Sequence, residues 1–226
     1  MARIHGVAGE WARVKGTVAG MWPLFLGMFV AGFGAAAWLF MPQPFVGMVV
    51  VAVALGEICL SLVYGMRRIE RFFVGARGEE RVSGILKGLP DKYHVFNDFV
   101  AGRLHVDHVV VGPAGVYAVE TKNWRGRVTI EEGYVLVNGR VPNRNPLSQA
   151  LKEASRVKSA LAKIGWRGDV TPVLVFASDT FVSHIAEVRG VVVINSCDVK
   201  TSFGTDRVVL PPADLERLVS LMENCR

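Results

Sequence analysis

The chain has 226 residues, enough for one sizeable folded domain with appendages. Its 26 Lys and Arg against 20 Asp and Glu give a net charge of +6, compatible with a polyanionic partner. A mean hydropathy of +0.33 is unusual for a soluble domain and points to membrane segments. Cys59, Cys197 and Cys225 are odd in number, far apart and without a CxxC pair, which argues against a disulfide framework or a zinc site and for a reducing compartment.

Residues 1–18 form a short basic lead, with Arg3, Arg13 and Lys15 against Glu10. Residues 19–41 carry no charge, a length suited to a bilayer crossing of about 20 residues. Pro42-Gln43-Pro44 breaks this run, and residues 45–66 form a second apolar run whose one charge is Glu57. Arg67, Arg68 and Arg71 close it. The short outer loop has no Lys or Arg while both flanks do, so the positive-inside rule predicts an N-terminal transmembrane helical hairpin with both termini cytoplasmic. In a bacterial-type cell this is a multi-pass protein of the inner (cytoplasmic) membrane, held in the lipid bilayer by two helices. A cleaved signal peptide ending near Ala35-Ala36-Ala37 fits less well, because the run is long and a second follows at once. Glu57 is read as protonated at a helix contact or paired with a partner subunit, which leaves room for a homo-oligomer; a transport role has little to support it.

Residues 67–226 form the soluble part. After Gly75-Ala76-Arg77-Gly78, a helix is expected with Val82, Ile85, Leu86 and Leu89 inward, and Glu79 shares that stripe. Taken alone, Glu79 is a first-turn charge offsetting the helix dipole. A strand over residues 93–100 precedes the most informative stretch, residues 103–124. There, two β-rich runs flank Gly112-Pro113-Ala114-Gly115, a turn cluster. A hairpin centred on Pro113 and Ala114 places residues whose numbers add to 227 opposite each other: Asp107 with Glu120, and His105 with Lys122. Period-two alternation puts Asp107, Glu120 and Lys122 on one face. Opposed Cβ atoms lie about 4.5–5.5 Å apart, too close for two unscreened carboxylates, so a divalent cation beside Lys122 is the economical answer.

A further strand pair turns at Glu132-Gly133, and Asn138-Gly139 marks another turn. Asn145 caps and Pro146 opens a helix to about Ile164, burying Leu147, Ala150, Leu151, Ala154, Val157 and Leu161; Lys152, Arg156 and Lys163 lie on a solvated side. Buried strands over residues 170–177 and 191–195 follow, then a last helix from Pro211-Pro212-Ala213-Asp214 through Met222. The order predicts an α/β domain, a mixed β-sheet with helices on both faces.

An Asp, then Glu-x-Lys after a turn, with Glu on a preceding helix, resembles the PD-(D/E)xK nuclease superfamily: here Glu79, Asp107 and Glu120-Thr121-Lys122. More narrowly, the chain resembles the nuclease-related domain (NERD) family. The matching pieces are Gly75-x-x-Gly78-Glu79, Val106 to Val111, Gly115 to Trp124 followed by x-Gly126, and Asn145-Pro146-Leu147-x-Gln149, together covering about residues 75–161. The resemblance implies a restriction-endonuclease-like fold and a metal-dependent nuclease acting on DNA or RNA. It implies Mg²⁺ or Mn²⁺ held by Asp107, Glu120 and the Thr121 carbonyl, since hard oxygen ligands suit these ions. Lys122 would hold or deprotonate the attacking water, Glu79 would add a carboxylate from the helix, and Gln149 would orient phosphate or water. His105 would contact a phosphate or be a polar strand neighbour, while His108 points to the other face as a core histidine. Trp124 with Arg125 and Arg127 would offer a stacking and charge platform for nucleic acid, or Trp124 caps the core. The competing reading is a catalytically silent nucleic-acid-binding or scaffolding module of the same fold.

Overall fold

A computed structural model describes residues 1–40, 44–102, 104–203 and 208–224. Met41–Gln43 of the expected outer loop, Arg103 at the start of the hairpin stretch, and Cys225 lie outside the described residues. In chain order the strands are β1 (Arg3–His5), β2 (His94–Ala101), β3 (Leu104–Gly112), β4 (Gly115–Lys122), β5 (Val128–Glu131), β6 (Tyr134–Val137), β7 (Val170–Phe176), β8 (Ile185–Val188) and β9 (Val191–Asn195). The α-helices are α1 (Glu10–Phe40), α2 (Pro44–Leu86), α3 (Pro146–Lys163), α4 (Val199–Phe203) and α5 (Pro212–Glu223).

Two compact units emerge: Met1–Glu10 with Gly75–Arg226, and Trp11–Val74. The expected basic lead therefore divides between them. Residues 1–10 supply an edge strand to the sheet, and the rest enters α1.

Within Trp11–Val74, α1 and α2 are long and apolar enough to cross a membrane. Their most apolar windows are only 11% buried, so their large side chains face outward rather than into a protein core. The two helices meet along glycines: a Cβ on Gly20 would lie 2.4 Å from Ile69, and one on Gly34 would lie 2.7 Å from Val50. Small residues at such a seam let backbones approach where lipid gives no hydrophobic drive for helix pairing. Glu57 accepts a hydrogen bond from Ser61 Oγ at 2.6 Å, one turn away, a local satisfaction of a carboxyl in an apolar run.

The other unit is a mixed seven-stranded sheet in the order β1-β2-β3-β4-β7-β9-β8, with β5-β6 a separate hairpin. β2, β3 and β4 run antiparallel as a meander; β4 pairs parallel with β7, and β7 with β9. On one face, Val109, Val111, Val116 and Ala118 pack against Ala154, Val157 and Leu161 of α3 and Leu215, Leu218 and Met222 of α5. On the other, Val110, Val119, Val173 and Val175 pack against Val82 and Leu86 of α2 and Phe203 of α4. Period-two alternation through these strands produces the two faces, and the 3.6-residue stripes of the helices cover them. Leu151 departs from the expected stripe of α3: it is exposed, and Glu153 occupies the buried position instead.

Candidate active site

The turn at Gly112–Gly115 sets the β3–β4 register. Pairs summing to 227 run from Gly112 opposite Gly115 to His108 opposite Val119. There the ladder ends, and Glu120, Thr121 and Lys122 pair only with Leu174, Val175 and Phe176 of β7. Asp107 and Glu120 are thus not cross-strand partners. Instead Asp107 Oδ2 accepts the Thr121 N–H at 2.8 Å, replacing a ladder bond with a side-chain one. Because the β3–β4 ladder stops at His108 and Val119, the expected opposition of His105 and Lys122 does not form; His105 pairs with Val100 of β2.

A kink explains the opening. Val106 joins the same hydrophobic cluster as Val109 and Val111, so alternation in β3 slips by one residue beside Asp107. In β2, Phe96 and Phe99 show the same slip, and Asp98 between them has φ of +49°. A non-glycine residue in the left-handed region turns the strand sharply. The Asp98 carboxylate is held there by the Glu10 N–H at 2.9 Å.

The notch left between β3 and β4 is where the acidic residues gather. Glu120 and Lys122 share the α3 face of β4 with Val116 and Ala118. The Lys122 ammonium donates to Glu120 Oε1 and, at 3.0 Å, to Gln149 Oε1 on α3. Gln149 Nε2 in turn donates to Glu153 Oε1 at 3.1 Å, four residues along the same helix face. Glu120 and Glu153 are buried, and a side-chain hydrogen bond joins their carboxyls. Asn145 positions α3 by accepting the Leu147 N–H at 3.0 Å, so that first-turn donor is engaged within the helix.

Glu79 enters from α2. Gly78 makes this possible: a Cβ there would lie 2.6 Å from the Asn123 Cβ, so only glycine lets the helix reach the end of β4. The Gly9 N–H bonds the Glu79 carboxylate from the N-terminal segment. Gly9 has φ of +73°, and a Cβ on it would lie 2.8 Å from the Ala76 Cβ.

The electrostatics follow from four carboxyl groups around one ammonium. Burial, then Asp98 and Glu120, push Glu79 up to about 7. Burial, then Glu120, Glu79 and Glu153, raise Asp107 well above the usual carboxylate range. Burial and then Glu120 push Glu153 up to about 9. Burial pulls Lys122 down, but Glu120, Asp107 and Glu153 outweigh it and hold the ammonium above its ordinary value. A lysine that stays charged beside carboxyls that resist ionising marks a site short of positive charge.

The donor set is one of hard oxygens. A strand residue's N–H and C=O point to the same side, and the Thr121 N–H points to Asp107, so its carbonyl also faces the notch. Next to it, the Lys122 carbonyl faces β7 and accepts the Ala177 N–H at 2.9 Å. Asp107, Glu120, the Thr121 carbonyl and Glu79 thus supply oxygen atoms of the kind Mg²⁺ and Mn²⁺ prefer.

The aromatic and basic candidates are arranged differently. Trp124 is half-buried, with its ring centroid 5.7 Å from that of Phe176, and caps the core of β7 and β9. Arg125 and Arg127 beside it are exposed. His108 is fully buried, its Nδ1 lies 2.8 Å from Asn97 Oδ1, and burial pushes it down to about 3. It is a neutral core histidine. Next to the buried network, a cleft of about 420 Å³ is lined by Arg144, Asn145, Ser148, Gln149, Lys152 and Glu153.

Glu153 was not among the residues that the sequence singled out. The signal was present: it is a carboxylate inside the apolar stripe of Ala150, Ala154, Val157 and Leu161, four residues after Gln149.

A mixed α/β sheet whose splayed central strands bring an Asp together with Glu-x-Lys is the arrangement of the PD-(D/E)xK nuclease class. Residues 74–177 match the family model of the nuclease-related domain. The matched segment holds Glu79, Asp107, Glu120, Lys122, Gln149 and Glu153. No curated protein and no solved structure matches the chain.

Proposed function

We propose that the protein is a metal-dependent nuclease that hydrolyses phosphodiester bonds of DNA or RNA at the cytoplasmic face of a membrane. The observation that carries this reading is the buried array in which Lys122 is held between Glu120 and Gln149, beside Asp107 at the point where β3 and β4 part. Asp107, Glu120 and the Thr121 carbonyl would hold Mg²⁺ or Mn²⁺, with Glu79 as an added carboxylate. Such an ion lowers the pKa of water and relieves charge on the phosphoryl oxygens.

The chain's own residues do the rest. Lys122 donates hydrogen bonds toward the reacting phosphate and its water, and its charge opposes the charge that develops there. Gln149 and Glu153 fix the lysine's direction, so little reorganisation is needed as the reaction proceeds. Arg144 and Lys152 on the adjoining cleft supply the cations that a nucleic-acid backbone requires. Arg125 and Arg127, exposed beyond Trp124, extend that positive surface; Trp124, packed on Phe176, supports their loop.

Membrane attachment is supported by the connectivity of the units. Met1–Glu10 and Gly75–Arg226 fold together, so both ends of the apolar helix pair must lie on one side of any bilayer it crosses. Arg67, Arg68 and Arg71 at the end of the second apolar run support a cytoplasmic side for those ends, by the positive-inside rule.

Full-length protein in detergent, supplied with Mg²⁺ or Mn²⁺, should cleave DNA or RNA. Glu120→Ala or Lys122→Ala should reduce the rate by about 10²–10⁴-fold, the range typical of a lost positioned acid–base group. Undiminished cleavage by both variants would refute the assignment. A second reading, a silent binding module, is favoured by one feature: the Lys122 ammonium already neutralises Glu120 without any ion. Salt-sensitive binding that chelator leaves unchanged, with no cleavage of any substrate, would select it.

A further inference from the structure

At the C-terminal ends of β7 and β9, the end of the sheet where Lys122 pairs with Phe176, the connection from β7 to β8 meets the turn after β9, where three different metal-ligand types converge. His184 Nδ1 lies 3.2 Å from Asp198 Oδ2, and Cys197 Sγ lies 3.5 Å from the same oxygen. The three ligand atoms all fall within 4.8 Å of one another. We propose that His184, Cys197 and Asp198 form a binding site for a zinc-type divalent transition metal, separate from the carboxylate site on β4.

The spacing suits such an ion. With bonds of about 2.05 Å to nitrogen and oxygen and about 2.3 Å to sulfur, a tetrahedral centre has N–O edges of about 3.3 Å and S–O edges of about 3.5 Å. The His184–Asp198 and Cys197–Asp198 separations match these edges. Imidazole, thiolate and carboxylate together select zinc-like ions over Mg²⁺, which takes oxygen donors.

The backbone of each ligand is also fixed. The His184 carbonyl accepts the Asn195 N–H at 3.2 Å, and the Cys197 N–H donates to Asp179 Oδ1 at 3.0 Å. The Asp198 carbonyl accepts the hydroxyls of Thr201 and Ser202 at 2.8 and 2.9 Å. Partial burial, then the Asp179 and Asp198 carboxylates, push the Cys197 thiol up to about 11. The Arg81 guanidinium lies 3.8 Å from the Asp179 carboxylate. An ion bound here inverts that disadvantage: the thiol proton leaves to solvent, the sulfur binds as thiolate, and the imidazole keeps its proton on the exposed Nε2. Three protein ligands leave a fourth position for water or for Asp179. Occupied, the site would clip residues 178–184 to the Ser196–Asp198 turn, next to Ala177, which bonds the carbonyl of Lys122.

The test uses metal-free full-length protein in detergent, with Cys59 and Cys225 replaced by serine so that Cys197 is the sole thiol. Titration with Co²⁺ should give one equivalent with four-coordinate visible bands and a sulfur-to-cobalt charge-transfer band. Zn²⁺ should displace it, and Mg²⁺ should not. Cys197→Ser should abolish the charge-transfer band, and His184→Ala and Asp198→Asn should each weaken binding, while near-ultraviolet circular dichroism stays unchanged. Glu120→Ala should leave the bands intact, which separates this site from the carboxylate one. Absence of the charge-transfer band in the parent protein, its survival in Cys197→Ser, or its loss on adding Mg²⁺ would overturn the proposal.

Discussion

Replacing Glu153 with glutamine isolates the proton held in the buried network. Glu153 is buried, and its carboxyl is pushed from an ordinary 4.5 up to about 9, first by burial and then by Glu120. Between those values the folded chain keeps a proton that the unfolded chain releases, so the unfolded state binds fewer protons and stability falls as pH rises. One such proton corresponds to about 1.4 kcal/mol per pH unit, or about 2.7 kcal/mol between pH 5 and pH 7. The contribution is fully present below the unfolded pKa and lost as pH rises through the folded one. Glutamine keeps the acceptor that Gln149 Nε2 uses, has nearly the same shape, and does not titrate. Glu79, pushed up to about 7, adds a slope of the same sign below that pH and is untouched by the substitution. Tertiary unfolding of both proteins, followed by near-ultraviolet circular dichroism in denaturant from pH 5 to pH 8, should show a shallower pH dependence for Glu153→Gln, by about one proton's worth. The gap should favour the variant increasingly toward pH 8. Parallel pH profiles for the two proteins would show that Glu153 holds no extra proton, and the account of the charge-poor site would fail.

Three other outcomes follow from the geometry. Gly78→Ala places a methyl 2.6 Å from the Asn123 Cβ, so it should cost about 1–3 kcal/mol by overpacking and, by shifting Glu79, reduce cleavage more than an alanine at Gly84, which meets nothing within 4 Å. Equal behaviour of the two variants in denaturation and cleavage assays would contradict it. Asn145→Ala removes the acceptor for the Leu147 N–H at the start of α3 and should lower stability by about 1 kcal/mol in denaturant titrations. Deleting residues 2–9 takes away β1 and the Gly9 bond to Glu79 together; a lower unfolding midpoint and an upward shift in the acidic limb of any cleavage pH profile are the expected results.

The sequence carried the register of the central hairpin because a turn rich in glycine and proline leaves few ways to fold back. The sum of 227 holds for every β3–β4 pair that forms. What it did not carry was where the pairing stops. That depends on Asp98 adopting a left-handed conformation in the neighbouring strand and on Asp107 capturing the Thr121 N–H, both tertiary choices without a local signature. Gln149 was legible from its place after the Asn145-Pro146 helix start. Glu153 was not, because a carboxylate on a helix face reads as solvated until the strand opposite it is known. The β5–β6 pair turns between Glu131 and Tyr134 as its Glu132-Gly133 signal implies, whereas β8, four residues with Glu187 among them, lacks the apolar run that marks a buried strand. The three residues of β1 are too few to show any period, and only their parallel pairing with His94, Val95 and Phe96 reveals them.

That short strand also sets an order of events during synthesis. Ile4 pairs with Val95, 91 positions later, and both apolar helices are made in between. A growing chain emerges from its N-terminus onward at about 5–20 residues per second, so β1 must wait unpaired until the whole apolar stretch has left the ribosome. The last edge of the sheet, and with it the Gly9 contact to Glu79, can be laid down only after that interval. A chain that stalled before β2 would lack this contact, so the carboxylate cluster is completed only after both apolar helices have been synthesised.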